Sequence, residues 1–137
     1  MRPTASLIPI AVMAAILAAC STAPAQQSRS PQASRELADA LAGRVAGPPQ
    51  RCITTYRTTS VHPIDDWTIL YDQGSTIYVQ NPRGGCPGVG RGNDILVTRQ
   101  TSTQICDGDI ARTVDLTSRV EGGGCVFGPF VPYTRPR

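Results

Sequence analysis

A histidine and two aspartates, side chains that can carry chemistry, lie close together in this sequence. His62 is the only histidine, and Asp65 and Asp66 follow it closely. A histidine beside a carboxylate can act as a general base, and the three side chains together could hold a metal ion. The same segment fits a turn between two strands, in which the aspartates accept hydrogen bonds from backbone N–H groups. We favour the turn, because no second histidine completes a two-histidine, one-carboxylate metal site.

A second pair of carboxylates, Asp107 and Asp109, flanks Gly108 directly after Cys106. Such a pair could belong to a glycosidase or to a calcium loop. The calcium pattern requires further oxygen ligands and a bidentate glutamate at fixed positions, and these are missing here. The spacing therefore indicates a bend, and we expect Asp109, like Asp66, to accept hydrogen bonds from buried backbone groups as readily as to serve a function.

Composition excludes several kinds of catalytic and binding site. All thirteen basic residues are arginines, so the chain has no lysine for a P-loop or for a Schiff base. The glycines between Gly88 and Gly92 lie in a proline-rich loop without a following helical pattern, which argues against a dinucleotide site. No G-x-S-x-G motif is present. The arginines are scattered singly, which disfavours nucleic-acid binding. We expect no catalysis, no cofactor and no metal.

The N-terminal residues predict that the protein is exported from the cytoplasm. An apolar run from Ala5 to Ala19 follows Arg2, and it is shorter than the about 20 residues that span a membrane. Its end, Leu17-Ala18-Ala19-Cys20, resembles the lipobox of bacterial lipoprotein signal peptides. A plain signal peptide cleaved after Ala23-Pro24-Ala25 is the alternative.

The lipobox resemblance implies that residues 1–19 are removed and that Cys20 carries a diacylglycerol and an N-linked acyl chain such as palmitate. Two or more acyl chains hold a protein stably in a membrane. Ser21 stands where an aspartate would favour retention in the inner membrane. The resemblance therefore implies an outer-membrane lipoprotein that faces the periplasm and is attached to the membrane through Cys20.

The next segments predict a tether and a short helix. Residues 20–34 lack an apolar period and are expected to form a flexible tether after the lipidated cysteine. Ser34 is predicted to cap a helix from Arg35 to Ala42, with Gly43 as its stop. Residues 35–50 thus form a short helix and linker, and residues 51–137 form the periplasmic β domain.

Within the β domain the apolar pattern changes to the period of two that is typical of strands. Strands are expected at 52–61, 67–72, 76–80, 95–98, 104–106 and 110–116, with turns at 62–66, 73–75 and 122–124. In the strand from 110, we expect Ile110, Val114 and Leu116 to share the buried side. Most of the few aromatic residues must serve the core. The pattern predicts a mostly β fold, a small disulfide-stabilised antiparallel barrel or sandwich preceded by a short helix.

Four cysteines remain in the β domain: Cys52, Cys86, Cys106 and Cys125. They lack the C-x₂₋₄-C spacing of zinc sites, and in an oxidising periplasm they are expected to form two disulfides. Three pairings are open. We favour Cys86–Cys106 with Cys52–Cys125, and Cys52–Cys86 with Cys106–Cys125 is among the alternatives.

A family resemblance follows from the order of several short motifs: Arg51-Cys52-Ile53, Asp65-Asp66-Trp67-Thr68-Ile69, Tyr78-Val79, Cys86-Pro87-Gly88, Ile105-Cys106 with Asp109-Ile110, and Cys125. The set is similar to a family of short proteobacterial lipoproteins, common in alphaproteobacteria, defined as a domain of unknown function. The likeness covers roughly residues 37 to 132. It implies a lipid-anchored, disulfide-containing β domain and supplies no activity.

The sequence leads to three hypotheses of function. The first is a non-catalytic binding or accessory module that contacts an envelope protein or a cell-wall component. The second, by analogy of fold, is an inhibitor of a secreted cell-wall hydrolase that resembles lysozyme inhibitors. The third is a small hydrolase that uses His62 with Asp65 or Asp66.

Overall fold

The computed structural model describes residues 29–58 and 60–137. Within them a helix precedes a series of short strands, and a single 3-10 turn, Val89–Arg91, lies between the fifth and sixth strands. The elements are α1 (Pro31–Ala40), β1 (Val45–Ala46), β2 (Cys52–Thr54), β3 (Ser60–Asp65), β4 (Thr68–Asp72), β5 (Thr76–Gln80), β6 (Asp94–Thr98), β7 (Gln104–Cys106), β8 (Ile110–Asp115), β9 (Glu121–Val126) and β10 (Phe130–Thr134).

All strand pairs are antiparallel, and they form three sheets. A five-stranded sheet has the order β1-β10-β5-β4-β3, a three-stranded sheet has the order β6-β8-β9, and β2 pairs with β7. The sheets do not close on each other, so of the two expected architectures the structure is the sandwich and not the barrel. The mostly β fold with one short helix near its N-terminus is confirmed.

Two apolar clusters lie on opposite faces of the five-stranded sheet. One cluster fills the space between the sheets, where Tyr71, Phe127 and Phe130 meet edge to face with ring centroids 5.6–6.3 Å apart. The other lies under α1 and contains Ala33 together with the sheet residues Leu70 and Ile77. Strand β4, which lies between β5 and the edge strand β3, is therefore buried on both faces, which explains its nearly continuous apolar sequence.

Helix α1 begins four residues earlier than the sequence predicts. The Ser30 hydroxyl, and not Ser34, caps it by accepting a hydrogen bond from the Ala33 N–H at 3.1 Å. Pro31 then occupies the first turn, where its fixed φ suits a helix and its missing N–H costs nothing. Part of the expected tether is thus helical. Gly43, with φ +69°, follows the end of the helix as expected.

The linker after α1 also contributes to the sheet, because β1 pairs with β10 at one edge. The predicted signal peptide, Cys20 and most of the tether lie outside the described residues. No helix within the described residues is long and apolar enough to cross a membrane.

Two predicted turns are strands in the structure. His62 lies within β3, and the chain reverses only after Asp65, whose carboxylate accepts a hydrogen bond from the Trp67 N–H at 2.8 Å. Gly122 and Gly123 lie within β9. Glycine in a strand marks a close approach of another group, and a side chain on Gly122 would collide with the Thr113 hydroxyl.

The buried side of β8 is the opposite of the one expected. Ala111 and Thr113 face the core, whereas Ile110 and Leu116 are 63% and 56% exposed. Ala111 lies opposite Cys125 in the strand register, so only a small side chain fits beside the disulfide. The two-residue period of a strand identifies its two faces, but it does not tell which face is buried.

The cysteines form two disulfides, as expected, but with a different pairing from the favoured one. Cys52 is bonded to Cys106, and Cys86 is bonded to Cys125. Strand register explains the first bridge, because β2 and β7 place Cys52 directly opposite Cys106. The second joins the glycine-rich loop 81–93 to β9.

Candidate binding site

The structure separates the histidine from the two aspartates that the sequence places near it. The His62 Nε2 atom lies 2.6 Å from the Oε1 atom of Glu36, which comes from helix α1. Asp65 instead accepts a hydrogen bond from Arg29 at 2.7 Å. These two contacts join helix α1 and Arg29, which directly precedes its cap, to strand β3, so they dock the N-terminal segment on the sheet. Glu36 is a partner that the sequence reasoning missed, because no local spacing connects it with His62.

Asp66 holds the glycine-rich loop in place. One oxygen of its carboxylate accepts hydrogen bonds from the N–H groups of Gly88 and Gly90, both at 3.1 Å. Its main-chain carbonyl accepts another from the N–H of Cys86 at 2.6 Å. A carboxylate that accepts backbone hydrogen bonds in this way is a structural anchor. The sequence interpretation of Asp66 as a backbone cap agrees with this geometry, although the capped groups are 22 and 24 residues away.

Asp109 has the same kind of role at a shorter range. Its Oδ2 atom accepts a hydrogen bond from the Cys106 N–H at 2.8 Å and so closes the bend after β7. Asp107 does not pair with it, because its carboxylate contacts Arg83 at 2.6 Å. The two carboxylates therefore serve different contacts and do not form a paired acid and base.

A polar cleft separates the first turns of α1 from strand β3 and the glycine-rich loop. Its volume is about 510 Å³, and Glu36, His62 and Asp94 line it together with Gly90 and Gly92. Within the described residues, no three histidine, cysteine or acidic side chains are arranged to hold a metal ion. What the cleft offers chemically is a set of acidic and hydrogen-bonding groups.

An apolar cavity of about 300 Å³ adjoins this cleft and lies between the sheets. Strand β3 contributes Val61 and Pro63, strand β6 contributes Leu96, strand β7 contributes Ile105, and Tyr71 completes the wall from β4. Both β3 and β6 are edge strands of their sheets, so the cavity lies beside the gap between two unpaired edges. From sequence, Tyr71 is one of the aromatic residues that could line a ligand groove, although a place in the core is favoured for most of them.

The outer face of the three-stranded sheet is unusually apolar. Residues directly opposite in antiparallel strands share a face, so Ile95 lies beside Val114, and Ile110 lies beside Val126. Val97 extends the same face. Ile95, Val97 and Ile110 are 43%, 40% and 63% exposed. An exposed cluster of β-branched side chains of this kind is typical of a surface that another molecule covers.

The Arg112–Glu121 pair is the polar feature of this outer face. The Arg112 guanidinium donates to the Glu121 carboxylate at 2.7 Å, and both side chains are exposed. Arg112 lies on the central strand β8, opposite Val97, so the charged pair stands among the apolar side chains of this face and can orient a partner.

Over residues 29–58 and 60–137, these features define the class of protein: a small antiparallel β sandwich, cross-linked by two disulfides and covered by one helix, with a cavity between its sheets. The family of unknown function DUF6491 matches residues 3–126, and the chain belongs to this family. The expectation that the chain belongs to a family defined as a domain of unknown function is confirmed. No curated protein and no solved structure matches the chain.

Proposed function

We propose that the chain is a lipoprotein of a proteobacterial cell envelope, of the alphaproteobacterial type, and that its β domain is a non-catalytic module that docks an envelope protein. The N-terminal motif ending in Cys20 supports the lipid anchor, since a cysteine after Leu-Ala-Ala is the pattern on which lipidation depends. The anchor would attach the domain to the outer membrane on its periplasmic side.

The observation that carries the docking role is the apolar outer face formed by β6, β8 and β9. Three of its side chains, Ile95, Val97 and Ile110, are at least 40% exposed on one sheet face. Burying such side chains against a partner would contribute about 25 cal/mol for each Å² of apolar surface removed from water. The charged pair Arg112–Glu121 adds one positive and one negative group to the face, and a partner with complementary charges would be favoured over others.

The chemistry-bearing side chains support a non-catalytic role because structural contacts already engage them. His62 binds Glu36, Asp66 binds two backbone N–H groups, and Asp109 binds a third. The four β-domain cysteines are in disulfides, so none supplies a thiolate. A hydrolase that uses His62 with Asp65 would first have to break the contacts that dock the N-terminal segment, and one that uses Asp66 would have to break the contacts that hold the glycine-rich loop.

Site-specific photocrosslinking in living cells tests the docking proposal. A photoreactive residue at Ile110 is expected to capture one envelope protein in stoichiometric amount. The same residue at Tyr56, which is also well exposed but lies in the loop after β2, is the control and is expected to capture none. Equal capture at both positions, or no capture at Ile110, would contradict docking through this face.

Two further measurements separate the other parts of the proposal. Replacing Cys20 by Ser is expected to move the protein from the membrane fraction to the soluble periplasmic fraction and to abolish palmitate labelling. Retention in the membrane would contradict the anchor. A lysozyme inhibition assay on the full chain tests the inhibitor alternative, and inhibition that survives Ile110→Asp would favour that alternative over docking through the outer face.

A further inference from the structure

The apolar cavity between the sheets has the form of a small-molecule site, which is a function distinct from protein docking. Its volume of about 300 Å³ corresponds to roughly ten water-sized volumes and lies at the lower end of the range for ligand pockets. Val61, Pro63, Leu96 and Ile105 provide its apolar wall. Val61 is 44% exposed at the outer edge of the sheet, so the cavity lies next to solvent on that side.

Tyr71 gives the cavity a polar group of defined chemistry. The backbone of Tyr71 is paired with Val61 on one side and with Tyr78 on the other, and Tyr71 is among the residues that line the cavity. The residue is 1% exposed, and its hydroxyl has no hydrogen-bond partner among the described residues. A buried hydroxyl without a partner is costly, and a ligand that accepts its hydrogen bond would remove that cost.

Burial raises the pKa of the Tyr71 hydroxyl above its ordinary value of 10.0. The group is therefore protonated at neutral pH and is able to donate a hydrogen bond. Its natural complement is a carbonyl or hydroxyl oxygen.

Asp94 determines the charge that the site accepts. Its side chain lines both the apolar cavity and the polar cleft beside it, so it stands where the two meet. A carboxylate in this position repels an anionic ligand and leaves a neutral one unaffected.

We infer that the cavity binds an uncharged, mainly apolar small molecule whose carbonyl or hydroxyl oxygen accepts a hydrogen bond from Tyr71. The limited volume selects a free small molecule and not a whole lipid. The aliphatic side chains of the wall favour an aliphatic body, and Asp94 disfavours carboxylates of the same length.

The test uses two probes of equal chain length, 2-octanone and octanoate, on the full-length chain. Binding is followed through the methyl signals of Val61, Leu96 and Ile105 in NMR titrations, with the free concentration of each probe measured in the same sample. We expect 2-octanone to bind with a Kd on the order of 1 mM or tighter, as suits a ligand of its size. Octanoate should bind at least about tenfold more weakly, and Asp94→Asn should narrow this difference.

Tyr71→Phe tests the hydrogen bond. The substitution is expected to weaken the binding of 2-octanone about tenfold. It should not lower the urea midpoint of unfolding of the free protein, because the hydroxyl that it removes has no hydrogen-bond partner there. Tyr78→Phe is the matched control, since Tyr78 lies directly opposite in the register but does not line the cavity, and it should leave affinity unchanged. Unchanged affinity in Tyr71→Phe, or a lower midpoint in the free protein, would overturn the inference.

Val61→Trp provides a second, independent test. This edge position is exposed, so the substitution should be tolerated, and the indole is expected to block the cavity and abolish the methyl shifts. Unchanged binding in this variant would overturn the location of the site. Neither result bears on docking through the outer face, which crosslinking from Ile110 tests separately.

Discussion

Cys52 lies directly opposite Cys106 in the β2–β7 pair, with their Cα atoms 4.0 Å apart. The two-stranded sheet that contains them has only three residue pairs. So short a sheet has little stability of its own, and its disulfide closes a loop of 54 residues. In the chain-entropy model, a loop of this length corresponds to about 4 kcal/mol of stabilisation.

The two disulfides should differ in their rates of reduction. Cys86 and Cys125 are buried, with 0% and 3% exposure, whereas Cys52 and Cys106 are half-buried. Because a thiolate must reach a sulfur atom to attack it, we expect dithiothreitol to reduce Cys52–Cys106 first. Timed alkylation followed by peptide mass spectrometry gives the order. Simultaneous reduction, or earlier loss of Cys86–Cys125, would contradict this assignment of accessibility.

Loss of the Asp66 carboxylate should release the glycine-rich loop. Asp66→Asn keeps the size of the side chain but removes the charge that strengthens its hydrogen bonds to Gly88 and Gly90. We expect the free energy of unfolding to fall by about 1–2 kcal/mol. Urea denaturation measures the loss, and faster amide exchange at Gly88 and Gly90 locates it.

Asp39→Asn is the control for this charge change. Asp39 is exposed on helix α1, and no side-chain contact of it is found among the described residues. Asp39→Asn should change the free energy of unfolding by no more than about 0.5 kcal/mol. Equal effects of the two variants would mean that net charge, and not the loop anchor, determines the result.

The positions of the strands could be predicted from the sequence more completely than the contacts between distant segments of the chain. The β4–β5 hairpin follows from an alternating apolar pattern around Gly74, and the structure has it where the pattern indicates. The Ser30 cap does not follow from the sequence pattern, because residues 20–34 lack an apolar period and predict a tether, although proline at the start of a helix is favourable. The disulfide pairing and the Glu36–His62 contact depend on how distant segments meet, and no local pattern contains that information.

The Glu36–His62 contact is expected to contribute little to stability, despite its short distance of 2.6 Å. Both side chains are exposed, at 41% and 56%, and exposed ion pairs are screened by solvent. A double-mutant cycle with Glu36→Gln and His62→Ala should give a coupling energy of about 0.2–1 kcal/mol. A coupling energy well above this range would contradict the expectation that solvent screens the Glu36–His62 contact.

Asp115 should make stability depend on pH in the acid range. Hydrogen bonds from the Ser118 backbone N–H and hydroxyl, with further ones from Asn93 and Thr117, lower the pKa of Asp115 below its ordinary value of 3.8. A depressed carboxyl pKa stabilises the folded state above the unfolded pKa, and this stability is lost as pH falls through the folded pKa.

Asp115→Asn should therefore lower the melting temperature at neutral pH, and the difference from the unsubstituted chain should vanish once the pH is below the lowered pKa of Asp115 in the folded protein. Thermal denaturation at several pH values checks this. A difference that stays constant down to that pH would show that the effect of the substitution is not electrostatic.

Gly122 should be the least replaceable of the three consecutive glycines in β9. A Cβ atom there would collide with the hydroxyl of Thr113, which is buried and donates a hydrogen bond to the Pro87 carbonyl at 3.1 Å. Gly122→Ala therefore forces Thr113 out of its position and disturbs the loop that it holds. We expect a loss of about 1–3 kcal/mol in the free energy of unfolding, as is typical of overpacking.

Gly123→Ala is the matched control in the same strand. A Cβ atom at Gly123 would meet Pro87 at 3.7 Å, an ordinary contact distance, so this variant should be neutral or slightly stabilising, because alanine restricts the unfolded chain. Thr113→Ala removes the colliding hydroxyl, so Gly122→Ala should cost less in that background than in the unsubstituted chain. Urea denaturation of the four variants measures both effects. Equal losses at Gly122 and Gly123 would show that the close approach of Thr113 is not the reason for glycine in this strand.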